Sequence, residues 1–115
     1  MIDRQKLNQN FQYFDKETII VIIDIFFEEY PQRVQNMRKN IEDLDFVKLK
    51  FNAHSLKGVI ANFQDPDCIE LSRKLDEMAK NQEKPGLSET FENLVTASDK
   101  LLEELKGLKA EVAAK

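Results

Sequence analysis

The sequence predicts an all-α protein: an antiparallel four-helix bundle with a short N-terminal covering helix. Three observations carry that prediction. Apolar residues recur at three- and four-residue steps over most of the 115 residues, which is the spacing of one helical face. Only three Gly and three Pro are present, too few for a turn-rich all-β chain. The 42% hydrophobic and 33% charged residues are the balance of a folded chain facing water, not of a disordered one. This length can bury one core, so a single domain over 1–115 is expected.

The first stretch, about residues 3–12, is short and amphipathic, with Leu7 and Phe11 one turn apart. Phe14 follows, and Asp15 has the side chain that caps a helix start. From there Ile19, Ile23, Phe26, Tyr30, Val34, Met37, Ile41 and Leu44 keep helical spacing. The β-branched run Ile19-Ile20-Val21-Ile22-Ile23 reads locally as a strand, but the longer periodicity outweighs it. This apolar surface is wider than one stripe, and the first stretch is expected to cover the excess. Pro31 removes a backbone hydrogen bond and crowds the preceding turn, so either the helix kinks there or two helices meet.

Asp45 can cap a third helix, whose stripe is Phe46, Leu49, Ala53, Leu56, Ile60 and Phe63. Asp65-Pro66-Asp67 starts a fourth, with a capping side chain, Pro at the first helical position and an acid near the positive helix end. Its stripe is Cys68, Leu71, Leu75 and Met78, and Glu83-Lys84-Pro85-Gly86 breaks it. The last helix carries Leu87, Phe91, Leu94, Ser98, Leu101, Leu105, Leu108 and Val112, with Gly107 weakening its end. Four amphipathic helices joined by short turns bury their stripes against one another. A coiled-coil dimer is the competing architecture.

Composition removes several classes of function. A net charge of −4 and a pI near 5.1 do not give the basic face that nucleic-acid binding needs. The one dense apolar segment, Ile19 to Phe27, is interrupted by Asp24 and is too short to span a bilayer. Met1 to Lys6 has no signal-peptide apolar run, and the lone Cys68 has no partner for an internal disulfide. Together these predict a reducing, cytoplasmic setting. Cys68 falls on the apolar register and reads as a packing residue. One His, one Cys and scattered acids do not make a metal set, and no glycine-rich phosphate loop is present, so neither a metal nor another cofactor is expected.

His54 is the only histidine. At about 100° per residue it lies roughly 130° from the core direction of the third helix, hence at the surface. Lys57 at i+3 and Gly58 at i+4 share its side. A glycine in an exposed helix interior costs about 1 kcal/mol relative to Ala, and nothing in the core pattern demands one. Either a partner comes close at Gly58 or the helix ends there. A histidine that carries a phosphoryl group needs an outward nucleophilic nitrogen, a nearby cation and an open approach. Val47, Lys50, Phe51 and Ala61 project on the same side, an apolar patch ringed by lysines that suits a protein partner. Phe51 is either exposed there or packed beneath the first helix.

Ala53-His54-Ser55-Leu56-Lys57-Gly58, followed by Ala61-Asn62-Phe63, closely resembles the signature of histidine-containing phosphotransfer (HPt) domains. The order of helices, including the Phe26-Phe27-Glu28-Glu29-Tyr30-Pro31 stretch, is similar to that family across nearly the whole chain. The resemblance implies a phosphorelay intermediate that is not itself an enzyme. His54 would accept a phosphoryl group, on its outward Nε2, from a receiver-domain aspartate of a hybrid sensor kinase. It would then pass the group to the aspartate of a response regulator. Lys57 would steady the phosphoryl oxygens, Gly58 would leave room for the receiver's loops, and Mg²⁺ would sit on the receiver. The carrier is expected to be a monomer. Val59, Ile60 and Gln64 depart from the family pattern, and Gln64, where many members have a second glycine, puts the geometry of the following turn at issue. Two other readings are a helical adaptor that docks receivers without being phosphorylated, and the phosphoacceptor part of a histidine kinase, which normally sits beside an ATP-binding domain.

Overall fold

Aspartate side chains start four of the five helices that the computed structural model describes over residues 1–115. The helices are α1 (Arg4–Phe11), α2 (Lys16–Glu42), α3 (Phe46–Ala61), α4 (Pro66–Lys80) and α5 (Leu87–Ala113). Asp3, Asp15 and Asp45 accept from the backbone N–H of Lys6, Thr18 and Lys48. Asp65 accepts from both Asp67 and Cys68. Each carboxylate satisfies donors that a helix start leaves unpaired. Only α5 begins differently, on Gly86 at φ +80° with no side-chain cap.

Helices α2 to α5 form the antiparallel bundle, and cross-helix pairs fix its direction. Arg38 pairs with Glu92, while Asp24, earlier on α2, pairs with Lys109, later on α5. Between α2 and α3, Asn40 meets Asn52 and Arg33 meets Ser55. The core runs through all four helices: Phe26, Leu49, Leu56, Leu75 and Leu101 are almost wholly buried, and the Phe26 ring lies 5.0 Å from that of Phe63.

Helix lengths set where the bundle is complete. α2 and α5 have 27 residues each, α3 and α4 only 16 and 15. At 1.5 Å per residue that is about 40 Å against about 24 Å, so α3 and α4 flank only part of the long pair. α1 covers the other end, where Leu7 and Phe11 approach Ile19, Leu108 and Val112. It is tied down by Arg4 on Glu111 and by Asn10 on the Asn62 carbonyl. Two turns of helix cannot cover everything, and Val21 and Ile25 stay exposed.

Several expectations change in the structure. α2 continues through Pro31 as one helix, so two helices do not meet there. Leu44, assigned to the stripe of α2, lies beyond that helix at φ +50° and is exposed, because the chain reverses at this point. On α4, Ser72 is buried where Leu71 was expected, and Leu71 is half-buried. α5 runs past Gly107 to Ala113 without interruption. Gln64 takes the left-handed conformation, φ +58°, that the family's glycine would adopt freely. Its side-chain amide donates to the Ala61 carbonyl at 3.1 Å and its own carbonyl accepts from Asp3 N–H at 2.8 Å. The turn therefore keeps a glycine geometry on a glutamine.

Candidate functional site

Register on α3 decides which side chains face out. Leu49, Ala53, Leu56 and Ile60 are buried, and that fixes the rotation of the helix. His54, next to Ala53, is then turned outward with its side chain 70% exposed. Gly58, one turn on, is exposed, and a Cβ built there would meet nothing within 4 Å. The approach to the imidazole over this turn is open.

Lys57 is not a free cation. Its Nζ donates to Oδ2 of Asp76, on α4, at 2.8 Å, and the same oxygen lies 3.4 Å from His54 Nδ1. Asp76 is only 17% exposed. Its partial desolvation pushes the carboxyl upward, but the hydrogen bonds from Lys57 and His54 and their nearby charges outweigh this and hold it below its usual value. Asp76 thus remains a carboxylate at neutral pH, bridging the cation and the ring. On the α2 side of α3, Ser55 accepts from Arg33 Nη1 at 2.8 Å, and Arg33 also pairs with Glu29 at 3.1 Å. The helix carrying His54 is pinned on both flanks.

Of the expected docking face, Val47, Lys50 and Phe51 line one shallow depression with His54 and Ser55. Val47 is 80% and Phe51 75% exposed. The alternative in which Phe51 packs beneath α1 does not hold, since α1 covers the opposite end of the long helices. Ala61 is exposed but lies two turns beyond His54 at the end of α3, outside that depression. Two features were not anticipated from sequence. One is Asp76. The other is a polar groove between α2 and α3 that continues from Val47 and Phe51 and is lined by Gln32, Gln35, Asn36, Asn40 and Asn52.

Other chemistry is sparse. Cys68 is wholly buried; burial and the neighbouring Asp65 carboxylate push its thiol up to about 12, so little thiolate forms at neutral pH. No three His, Cys, Asp or Glu side chains converge as a metal-binding group. No helix is long and apolar enough to cross a membrane.

A helical bundle with one outward histidine, a cation one turn on and an open neighbouring turn presents its polar site on the surface rather than in an enclosed pocket. The Hpt domain family model matches residues 21–113, and the chain belongs to that family. Hpt domains are phosphocarriers of histidine phosphotransfer in phosphorelays and interact with receiver domains of two-component signalling. A curated relative, the ATP-dependent DNA helicase hus2/rqh1 of Schizosaccharomyces pombe, is 34% identical over 62 residues, covering 45% of this chain and 5% of the helicase. The similarity thus spans a small fraction of that protein's length. No solved structure matches the chain.

Proposed function

We propose that this Hpt domain carries its phosphoryl group on His54. The group comes from an aspartyl phosphate on the receiver domain of a hybrid sensor kinase and goes to the aspartate of a response regulator. The observation that supports this most is the pairing of a 70% exposed imidazole with a glycine whose missing side chain nothing in the protein fills. A partner can reach the ring without displacing any part of the fold.

Lys57 and the docking face follow from the same reading. A phosphoryl group brings nearly two negative charges at neutral pH, and it would compete with Asp76 for the Lys57 ammonium, half-buried one turn away. Val47 and Phe51 supply apolar contact area, and Lys50 a positive rim, for the receiver. The Mg²⁺ that such a transfer uses belongs to the receiver, and the 115 residues act as one monomeric domain in the cytoplasm, with no cofactor of their own.

The test is labelling from a phosphorylated receiver domain, with His54→Gln in parallel. Acid-labile, alkali-stable label on the wild type alone supports transfer through His54. A wild type that binds receivers normally yet takes no label would instead make the protein a docking adaptor.

A further inference from the structure

We propose that Asn10, on α1, is a positioning residue for the helix that carries His54: together with Asp3 it straps the α3–α4 turn in its left-handed form. Three residues other than glycine take the left-handed conformation, Leu44, Gln64 and Gln82, and each follows a helix. Such helix ends are normally closed from within, by N–H groups of the left-handed residue and its successor reaching back to the last carbonyls. Leu44 and Gln82 bond the Ile41 and Ala79 carbonyls at 3.1 and 3.2 Å. Their successors, Asp45 and Glu83, bond Asn40 and Met78 at 2.8 and 2.9 Å. At Gln64 neither bond is made. Ile60 accepts from Phe63 N–H at 3.0 Å instead of from Asp65.

α1 supplies the missing closure. The last carbonyls of a helix have no partner inside it, so each needs a donor from elsewhere. Ala61 accepts from the Gln64 side-chain amide at 3.1 Å, and Asn62 accepts from Asn10 Nδ2 at 3.0 Å. The Gln64 carbonyl accepts from Asp3 N–H at 2.8 Å. Two of these three donors come from α1 and its cap, which the buried Leu7 and Phe11 hold in place. α1 also lies outside the residues that the family model matches.

The strap acts on the half of α3 that faces a partner. Gly58 and Ala61 are exposed on its last turn, just past Lys57, so a frayed end would loosen the surface beside His54. This consequence rests on the reading of His54 as the phosphoryl carrier. Glutamine is strained at φ +58°, whereas glycine takes that conformation freely. Gln64→Gly should therefore let the turn hold itself and remove its dependence on Asn10.

Asn10 is exposed, so Asn10→Ala should leave the bundle folded. In amide hydrogen exchange of the full chain, the Asp3, Asn62 and Phe63 amides of Asn10→Ala should exchange ~2–10-fold faster, as expected for one lost hydrogen bond. The amides of Leu101 and Leu105, in the middle of α5, should keep their wild-type rates. In the double variant with Gln64→Gly, Asn62 and Phe63 should exchange no faster than in Gln64→Gly alone. Transfer from a phosphorylated receiver to His54 should slow several-fold in Asn10→Ala and recover in the double variant, a rescue that general destabilisation would not give. Unchanged exchange in Asn10→Ala, or equal acceleration with glutamine and with glycine at position 64, would overturn the proposal. So would faster exchange with a wild-type transfer rate. If no receiver labels the wild type, the carrier reading fails, while exchange still decides whether α1 straps the turn.

Discussion

Gly58 on α3 and Gly107 on α5 are alike in their immediate geometry. Both are exposed positions inside helices, and a Cβ added to either would meet nothing within 4 Å. Their surroundings are not alike. Beside Gly58 stand His54, Lys57 and Asp76, with Val47 and Phe51 uncovered along the same face. Beside Gly107 the surface is closed by charge pairs, Lys106 on Glu103 at 3.0 Å and Lys109 on Asp24 at 2.6 Å. The protein's own packing needs a glycine at neither place. What separates the two is the chemistry that a partner would find there, and the proposal assigns a partner to Gly58 alone.

Bulky substitutions break this symmetry most strongly. Gly58→Gln should weaken binding to a receiver domain by at least ~10-fold, the loss of about 1.4 kcal/mol of contact, while Gly107→Gln should leave it unchanged. Titration calorimetry of both variants decides this, and equal affinities would remove the close-approach role of Gly58. Lys57→Ala should slow phosphoryl transfer or shorten the life of phosphohistidine several-fold, below the ~10³-fold limit for strong electrostatic stabilisation. Lys106→Ala, the corresponding cation beside Gly107, should change neither rate, as quench-flow labelling would show.

Smaller effects test the ways in which the two glycines are the same. Gly58→Ala and Gly107→Ala should each stabilise the fold by about 1 kcal/mol, read by urea unfolding. A gain at one site only would mean that the two helix positions differ in strain. The smallest effect concerns acid. Asp76 has its folded pKa depressed, so its contribution to stability is present above the unfolded value of about 3.9 and is lost as pH falls through the lower folded value. The stability gap between wild type and Asp76→Asn should therefore be level near neutrality and shrink below about pH 4. A gap that grows on acidification would contradict the ion pair.

The same contrast marks what the sequence could disclose. The α3 stripe and the outward His54 were legible because helical period is a local property: one rotation places Ala53 inside and His54 outside. Caps at Asp15, Asp45 and Asp65 were legible for the same reason. Asp76 was not, since its meeting with Lys57 depends on how α3 and α4 slide past one another, which neither helix encodes alone. Its one local signal is its place beside the buried Leu75 on the flank of the α4 stripe. The amide groove between α2 and α3 is tertiary in the same sense. Leu44 continued a period that the chain had already left, because a left-handed turn residue carries no periodic signature. Ser72 took a core place from Leu71 since a small hydroxyl can bury itself on its own helix, here by donating to the Ile69 carbonyl at 2.9 Å.

Locating the phosphoryl group on the labelled protein tests the central claim most directly. Wild-type protein phosphorylated by a receiver domain would be fragmented under neutral conditions and read by electron-transfer mass spectrometry. The account predicts a single phosphoryl mass on the imidazole of His54. A phosphoryl group found on any other side chain, with His54 unmodified, would contradict it.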